Sequence, residues 1–233
     1  MPLAIITPTR KRWHWLLEQA RALAPQMREG DCWVVVVDND EPNEKAIDQV
    51  TRLVGQERLT WAMLSYLRPC VPAACVNRCH NLGAALAPAA ADLVEIDDHD
   101  LIEPCALDEI RLALANDCDY VFGWHRQQAL LAGPNGRDYL ETWPDVRHAY
   151  VRGGFERGEI DAIGPRAIRR SLWNKLSGWD LDVWPCGDKD FALRAERAGA
   201  AIVCLELPLA TVTIDPESLS AAFRGRAPQE VSR

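Results

Sequence analysis

The chain has 233 residues, enough for one large α/β domain with a self-sufficient core and short for two compact ones. Its 34 acidic groups outnumber 26 basic ones for a formal charge of −8, and no Lys/Arg block is long enough to track a phosphate backbone, which disfavours nucleic acid as a partner. No signal peptide and no apolar run near 18 residues is legible, so the eight cysteines read as reduced thiols of a cytoplasmic protein with no transmembrane segment.

"LAIITPT" from Leu3 is a short apolar β run, followed by a helix-like "WHWLLEQARALAPQM". "CWVVVVDND" from Cys32 is the near-continuous β-branched run of a strand buried on both faces, and the three stretches make a β-α-β unit. A second helix is expected over Glu44 to Leu53, a strand at "LTWAML" from Leu59, an Ala-rich helix at "PAACVNRCHNLGAALA" from Pro72, and a strand at "ADLVEID" from Ala91. "PCALDEIRLALAN" carries a Pro suited to the first helical turn, and "YVFGW" from Tyr120 reads as the fifth strand. From Arg126 to about Ile160 the pattern dissolves into Gly, Pro, Trp and charge, predicting a long functional loop or an irregular subdomain. Helices are predicted again at "RAIRRSLWNKL" and "DKDFALRAERAG", then a strand at "AAIVCLELP" and a loosely held tail after Ser220. Alternating strands and helices imply an α/β fold: a Rossmann-like, mostly parallel mixed sheet with helices on both faces and ligands at the carboxyl ends of the strands.

Two acidic groups fall at such strand ends: Asp38 and Asp40 after one, and "EIDDHDLIEP" from Glu95 after another. The second sets three carboxylates and an imidazole on consecutive positions, a cluster that repels itself unless something positive sits in it or it faces water in a turn. Carboxylate oxygens with one imidazole suit Mn²⁺ or a similar borderline cation, with Mg²⁺ the alternative, and Asp97 and His99, two apart, point the same way on an extended segment. An ion held there neutralises a diphosphate and assists its departure.

"EIDDHDLIEPCALDEI" resembles the segment of GT-A glycosyltransferases, family 2 in particular, that reads L-D-x-D-D-x-x-x-P-x-x-L. With Pro104 fixing the register, the family's Asp-x-Asp falls on Asp97, Asp98 and His99, so its second carboxylate is replaced by His, as in the Asp-x-His of the related polypeptide N-acetylgalactosaminyltransferases. The resemblance runs from about Leu3 to Ser220. It implies one GT-A domain over residues 1–220, with 1–100 as the nucleotide-sugar half, 101–220 as the acceptor half and 221–233 as a tail. "AIITPTRKR" is similar to the first strand and nucleotide-facing loop, which implies base and ribose contacts at Thr7, Pro8 and Arg10; "VVVVDND" implies that Asp38 contacts the base. "NRCHNLGAALA" resembles A-R-N-x-G and implies that Arg78 and Asn81 face the nucleotide-sugar, beside Asp97 and Asp98.

"LSGWDLDVWPCGDKDFALRAERAGA" resembles G-G-F-D…G-E-D-x-D-L-x-x-R-x-x-x-x-G; Gly187 stands where the family has Glu, and Asp188 keeps the position of the general base of inverting members. The alternative for Asp188 is a plain helix cap, and at a helix start the carboxylate is expected to stay ionised. "TVTIDPESLS" is similar to Y-R-x-H-P-x-S-L-S, which implies Asp215 as an extra metal ligand, although "DPES" also reads as a surface turn.

Trp179 and Trp184 flank Asp188 and are candidates to stack on an acceptor sugar, while Trp13 and Trp15 pack the first helix. Cys70, Cys75, Cys79 and His80 fit no common zinc spacing and read as helix-packing thiols; His125 and His148 are candidates to complete a metal site. Arg166, Arg169 and Arg170 either solvate a helix or form a local basic face for a modified nucleic acid acceptor. The expected activity is metal-dependent transfer of a sugar from a UDP-sugar to a hydroxyl acceptor, a glycan or small molecule, with inversion. The rivals are a nucleotidyltransferase of similar fold, which the lack of glycine in "ITPTRKR" disfavours, and a noncatalytic sugar-nucleotide or carbohydrate binder. The oligomeric state is not legible.

Overall fold

The computed structural model describes residues 1–65, 72–132, 138–160, 164–183 and 187–214. Its strands are β1 (Leu3–Thr9), β2 (Cys32–Asp38), β3 (Leu59–Leu64), β4 (Asp92–Glu95), β5 (Asp100–Ile102), β6 (Tyr120–Ala132), β7 (Asp138–Val146), β8 (Arg166–Ile168) and β9 (Ile202–Ile214). The helices are α1 (Trp13–Leu23), α2 (Glu44–Val54), α3 (Pro72–Leu86), α4 (Ala106–Ala115), α5 (Arg170–Leu176) and α6 (Gly187–Arg197).

One nine-stranded sheet runs β3-β2-β1-β4-β8-β6-β9-β5, with β7 on the outer part of β6. The pairs β3·β2, β2·β1, β1·β4 and β6·β9 are parallel, whereas β8 runs against both neighbours and β5 and β7 are antiparallel to theirs. Six of these nine strands (β1, β2, β3, β4, β6 and β9) thus run the same way, so the sheet is mixed and mostly parallel in direction, as the alternation of elements implies.

Period-two alternation sorts the strand side chains between two cores. Leu3, Ile5, Trp33, Val35 and Val94 face Leu16, Val50, Leu107 and Ile110 of α1, α2 and α4. Ala4, Ile6, Val34, Val36 and Leu93 face Cys79, Leu172, Trp173 and Phe191 of α3, α5 and α6. Both faces being covered explains why β1 and β2 read as unbroken apolar runs. At the α3 crossing a Cβ on Gly83 would lie 2.4 Å from Ile6 Cγ2, so glycine is what lets the helix lie this close to β1.

Two expectations are corrected and one strand is added. Residues 126–132 and 138–146 are not irregular: β6 continues to Ala132 and forms a hairpin with β7. The pattern was unreadable because residues 140–145 are exposed and so lack an apolar face. "RAIRRSLWNKL" is not one helix, since Arg166–Ile168 pairs as β8 between β4 and β6 before α5 begins. The three-residue strand β5, which pairs with β9, follows directly on the acidic turn and had no pattern of its own. The tail lies outside the described residues. Among the described residues no helix is long and apolar enough to cross a membrane, and Cys32, Cys79, Cys105, Cys118 and Cys204 are in no disulfide.

Candidate functional site

The parallel strands β4, β1, β2 and β3 finish at one edge of the sheet, bringing Thr9, Asp38 and the turn after Glu95 to the same side. The turn is fixed from beneath by Gln19 of α1, which is fully buried. Its Nε2 donates to the carbonyls of Asp97 at 2.9 Å and Asp100 at 3.0 Å, while its Oε1 accepts from Thr7 Oγ1 at 3.1 Å. Trp33 Nε1 in turn donates to Thr7 Oγ1 at 3.0 Å. Thr7 is thus sealed in the core, and its hydroxyl braces the turn instead of meeting a ribose.

The side chains of the turn divide. Asp98 is buried and accepts from Thr9 Oγ1 at 2.9 Å, from Arg12 Nη1 at 3.2 Å and from His99 Nδ1 at 3.1 Å. Burial alone would raise its pKa, but the His99, Arg12 and Thr9 contacts outweigh it and hold the carboxyl below the usual range. For His99, burial opposes the charge; the hydrogen bond to Asp98 and the fields of Asp100 and Asp97 prevail and push the imidazole up to about 9. Arg12 Nη1 lies 3.2 Å from His99 Nδ1, so with the ring protonated both groups donate to Asp98 and neither to the other. Asp100 is buried, and its Oδ1 sits 3.9 Å from His99 Nε2 with no hydrogen-bond partner. Burial raises Asp100 to about 7 against the pull of His99. Asp97 is left half-exposed at the mouth.

Across from the turn, α6 presents Asp188, with a side chain 30% exposed. Its Oδ1 accepts from the Lys189 N–H at 2.8 Å and its Oδ2 lies 4.0 Å from Arg166 Nη1. The helix start favours an anion, as expected, yet burial dominates and raises the carboxyl, with Arg166 pulling it back. Gly187 beside it packs tightly: a Cβ there would lie 2.7 Å from Asn77 Oδ1 and 2.9 Å from Trp179 Cε3, so the family's Glu has no room in this chain.

Below Asp188 lies a buried polar network that sequence reasoning missed. Glu95, fully buried, accepts from Arg166 Nε at 3.0 Å and Trp179 Nε1 at 2.6 Å, and its Oε1 is 3.3 Å from His80 Nδ1. Burial pushes Glu95 up, but His80, Arg166 and Trp179 together hold it down. The one sequence signal was spacing, because Glu95 stands two residues before Asp97 on the strand. Trp179 is 4% exposed, stacked on His80 at 5.0 Å with the Arg166 guanidinium 4.9 Å from its ring, so it is core rather than an open platform for an acceptor.

Other candidates fall as follows. Arg10 is exposed and Pro8 buried at the end of β1, and Arg78 is half-buried on α3. Asn81 bonds both backbone groups of Trp179 at 2.9 Å, and Asn77 one turn earlier holds the Asp180 and Val183 carbonyls at 2.7 and 3.1 Å, so the pair fastens the segment before α6 to α3. Asp38 is buried at the end of β2, next to an open groove of 590 Å³ lined by Lys11, Asn39, Asp40, Pro42 and Met63. His125 and His148 lie 5.5 Å apart, distant in the chain but paired in space, and burial with His148 lowers His125 to about 4. Trp184, Asp215 and the side chains of Cys70 and Cys75 lie outside the described residues. The basic face is corrected: Arg166 is buried, Arg169 bonds the carbonyls of Cys118 and Leu114, and Arg170 bonds those of Ala91, Ala84 and Pro88.

No family model matches the chain, and no curated protein is similar to it. Its similarity is to solved structures. A mannosyltransferase from Pyrobaculum calidifontis, PcManGT, in complex with GDP-Man and Mn²⁺, superposes with a TM-score of 0.67 at 15% identity over 95% of this chain and 59% of that one. S. aureus TarS residues 1–349 in complex with UDP gives 0.67 at 14% identity over 96% and 64%, and its UDP-GlcNAc complex 0.65 at 16% over 92% and 59%. The chain spans less than two thirds of these solved chains, and what it shares with them is architecture: it has the GT-A glycosyltransferase fold.

Proposed function

We propose that the chain is a glycosyltransferase that moves a sugar from a nucleoside diphosphate donor, a UDP-sugar, to a hydroxyl acceptor with inversion. The observation that carries this reading is the meeting, at the carboxyl edge of a GT-A sheet, of the Asp97–Asp100 turn with the half-exposed carboxylate of Asp188. The nucleotide sugars bound by PcManGT and TarS support it as analogy.

In this reading the base and ribose lie over the groove beside Asp38 and Lys11, with Arg10 and Arg78 toward the nucleotide-sugar. The donor set fits a divalent ion: carboxylate with imidazole suits Mn²⁺ better than Mg²⁺, which prefers oxygen donors alone, and the Asp100 oxygen near His99 Nε2 is a buried acceptor with no hydrogen-bond partner. Among the described residues no three such side chains already converge, so Asp97 and His99 would hold the ion jointly with phosphate oxygens, with His99 exchanging its Nε2 proton for the ion while Nδ1–H stays on Asp98. Bound there, it would supply Lewis-acid stabilisation of the departing diphosphate. Asp98 keeps Arg12 and His99 in place, and Asp188 takes the acceptor proton as the hydroxyl attacks the anomeric carbon. The raised pKa of Asp188 makes it a better base than an ordinary aspartate.

The test is thermal unfolding with UDP, UDP-sugars and GDP-mannose, each with and without Mn²⁺, beside a turnover assay on the same donors. A donor should raise the melting temperature more with Mn²⁺ than without. Asp188→Asn should keep that shift while turnover falls by about a hundredfold or more. If no nucleotide changes the melting temperature in either condition, the reading fails.

A further inference from the structure

Arg166 and Glu95 face one another across the antiparallel β4·β8 pair, both buried and joined at 3.0 Å. A buried ion pair of this kind is a poor device for stability, because well-packed apolar residues of similar volume generally do as well or better. His80 and Trp179 already give Glu95 two further neighbours at 3.3 and 2.6 Å. The guanidinium has a second face: Nη1 reaches 4.0 Å from Asp188 Oδ2, the side chain at the mouth of the site. Packing on Trp179 fixes the plane of the guanidinium, and Glu95 fixes its direction.

We infer that Arg166, locked by Glu95, is a positioning residue that aims the Asp188 carboxylate into the site and keeps it an anion. The inference rests on Asp188 being the base in the proposed reaction, but its physical content is independent of which donor is used. A lysine would keep the charge and lose the two-sided grip, since one ammonium cannot present Nε to Glu95 and Nη1 to Asp188 in a fixed plane. The other titratable groups acting on Asp188 are Asp97 in the turn after β4, the buried Tyr120 of β6 and Lys189 on its own helix; Asp97 disfavours the anion and Lys189 favours it.

The experiment follows the Asp188 side-chain carboxyl carbon by NMR in the full chain without added metal, assigned by its loss in Asp188→Asn. The double variant Glu95→Gln/Arg166→Gln removes both buried charges at once and so leaves no orphan. Its Asp188 midpoint should rise by about one pH unit or more, the usual effect of losing an adjacent arginine. Arg166→Lys should restore the midpoint to within about half a unit while leaving turnover impaired by about tenfold at unchanged donor KM. If the double variant does not fold, Arg166→Met, which leaves Glu95 with His80 and Trp179, carries the same measurement. A folded variant with its midpoint moved by less than about 0.3 unit overturns the inference, and so does failure of both to fold, which would assign the pair to stability alone. Should the wild type turn over no nucleotide sugar, the functional reading falls, while the Asp188 midpoint still decides this one.

Discussion

Replacing Gln19 with Leu tests whether the acidic turn is held from the core. The side chain is fully buried and its amide donates to two carbonyls, at Asp97 and Asp100. Leucine has nearly the same volume, so the main loss is polar: two acceptors lose their donor, each at about 1–3 kcal/mol when left unsatisfied. Asp97 is half-exposed, which lets water reach its carbonyl, and Thr7 keeps its Trp33 donor. The sum settles near 3 kcal/mol, roughly a hundredfold in the folding equilibrium. For a domain of this size that is a fall of about 6–12 °C in melting temperature. Gln19→Glu is the sharper control: it keeps the shape, but a carboxylate cannot donate to a carbonyl, so it should be at least as damaging at pH 7 and partly recover near pH 5 when protonated. Scanning calorimetry of both variants, with donor titrations on each, measures this. A fall of less than about 2 °C in Gln19→Leu with unchanged donor affinity would refute the argument.

Gly187→Ala should lower stability by about 1–3 kcal/mol, because its Cβ meets Asn77 at 2.7 Å and Trp179 at 2.9 Å; denaturant midpoints check it, and adding Asn77→Ala should recover part of the loss. His125, lowered to about 4 inside the sheet, stabilises the fold fully above its unfolded value near 6.5. That contribution shrinks as pH falls toward about 4, so urea midpoints of His125→Asn should fall less than those of wild type between pH 7 and 4.5. Arg170→Met removes three bonds to carbonyls at the end of α3 and should cost about 2 kcal/mol by thermal unfolding with no change in donor affinity.

The parallel half of the fold was legible because its strands are buried on both faces: β1, β2 and β4 stand out as apolar runs, and the acidic residues at their ends follow from sheet direction. The antiparallel half was not. β8 is three residues long and opens with a buried arginine, and β7 is exposed throughout residues 140–145, so neither carries a period. Of the candidate site, sequence order pointed to Asp97 to Asp100 and to Asp188, which lie at element ends. It missed Gln19 and put Arg166 on a basic surface; both are buried polar residues whose importance comes from partners roughly 70 or more positions away, Asp97 and Glu95. It also gave Trp179 an open surface, since nothing in "SGWD" tells that His80 and Arg166 both pack on the ring.

The acidic cluster need not be strained to be functional. Three carboxylates in one turn repel, but Asp98 sits between two cations, Arg12 and His99, and burial leaves Asp100 partly protonated near neutrality. Of the three carboxylates, Asp97 is the one that is not buried. The same separation is repeated at Asp188, where Glu95 takes up the buried arginine's charge on one side and Asp188 meets it on the other. In both places a buried carboxylate fixes a cation, and an exposed one is thereby left available for chemistry. A site assembled this way keeps its geometry on its own, which in the proposed reaction would lower the reorganisation needed on binding a charged donor.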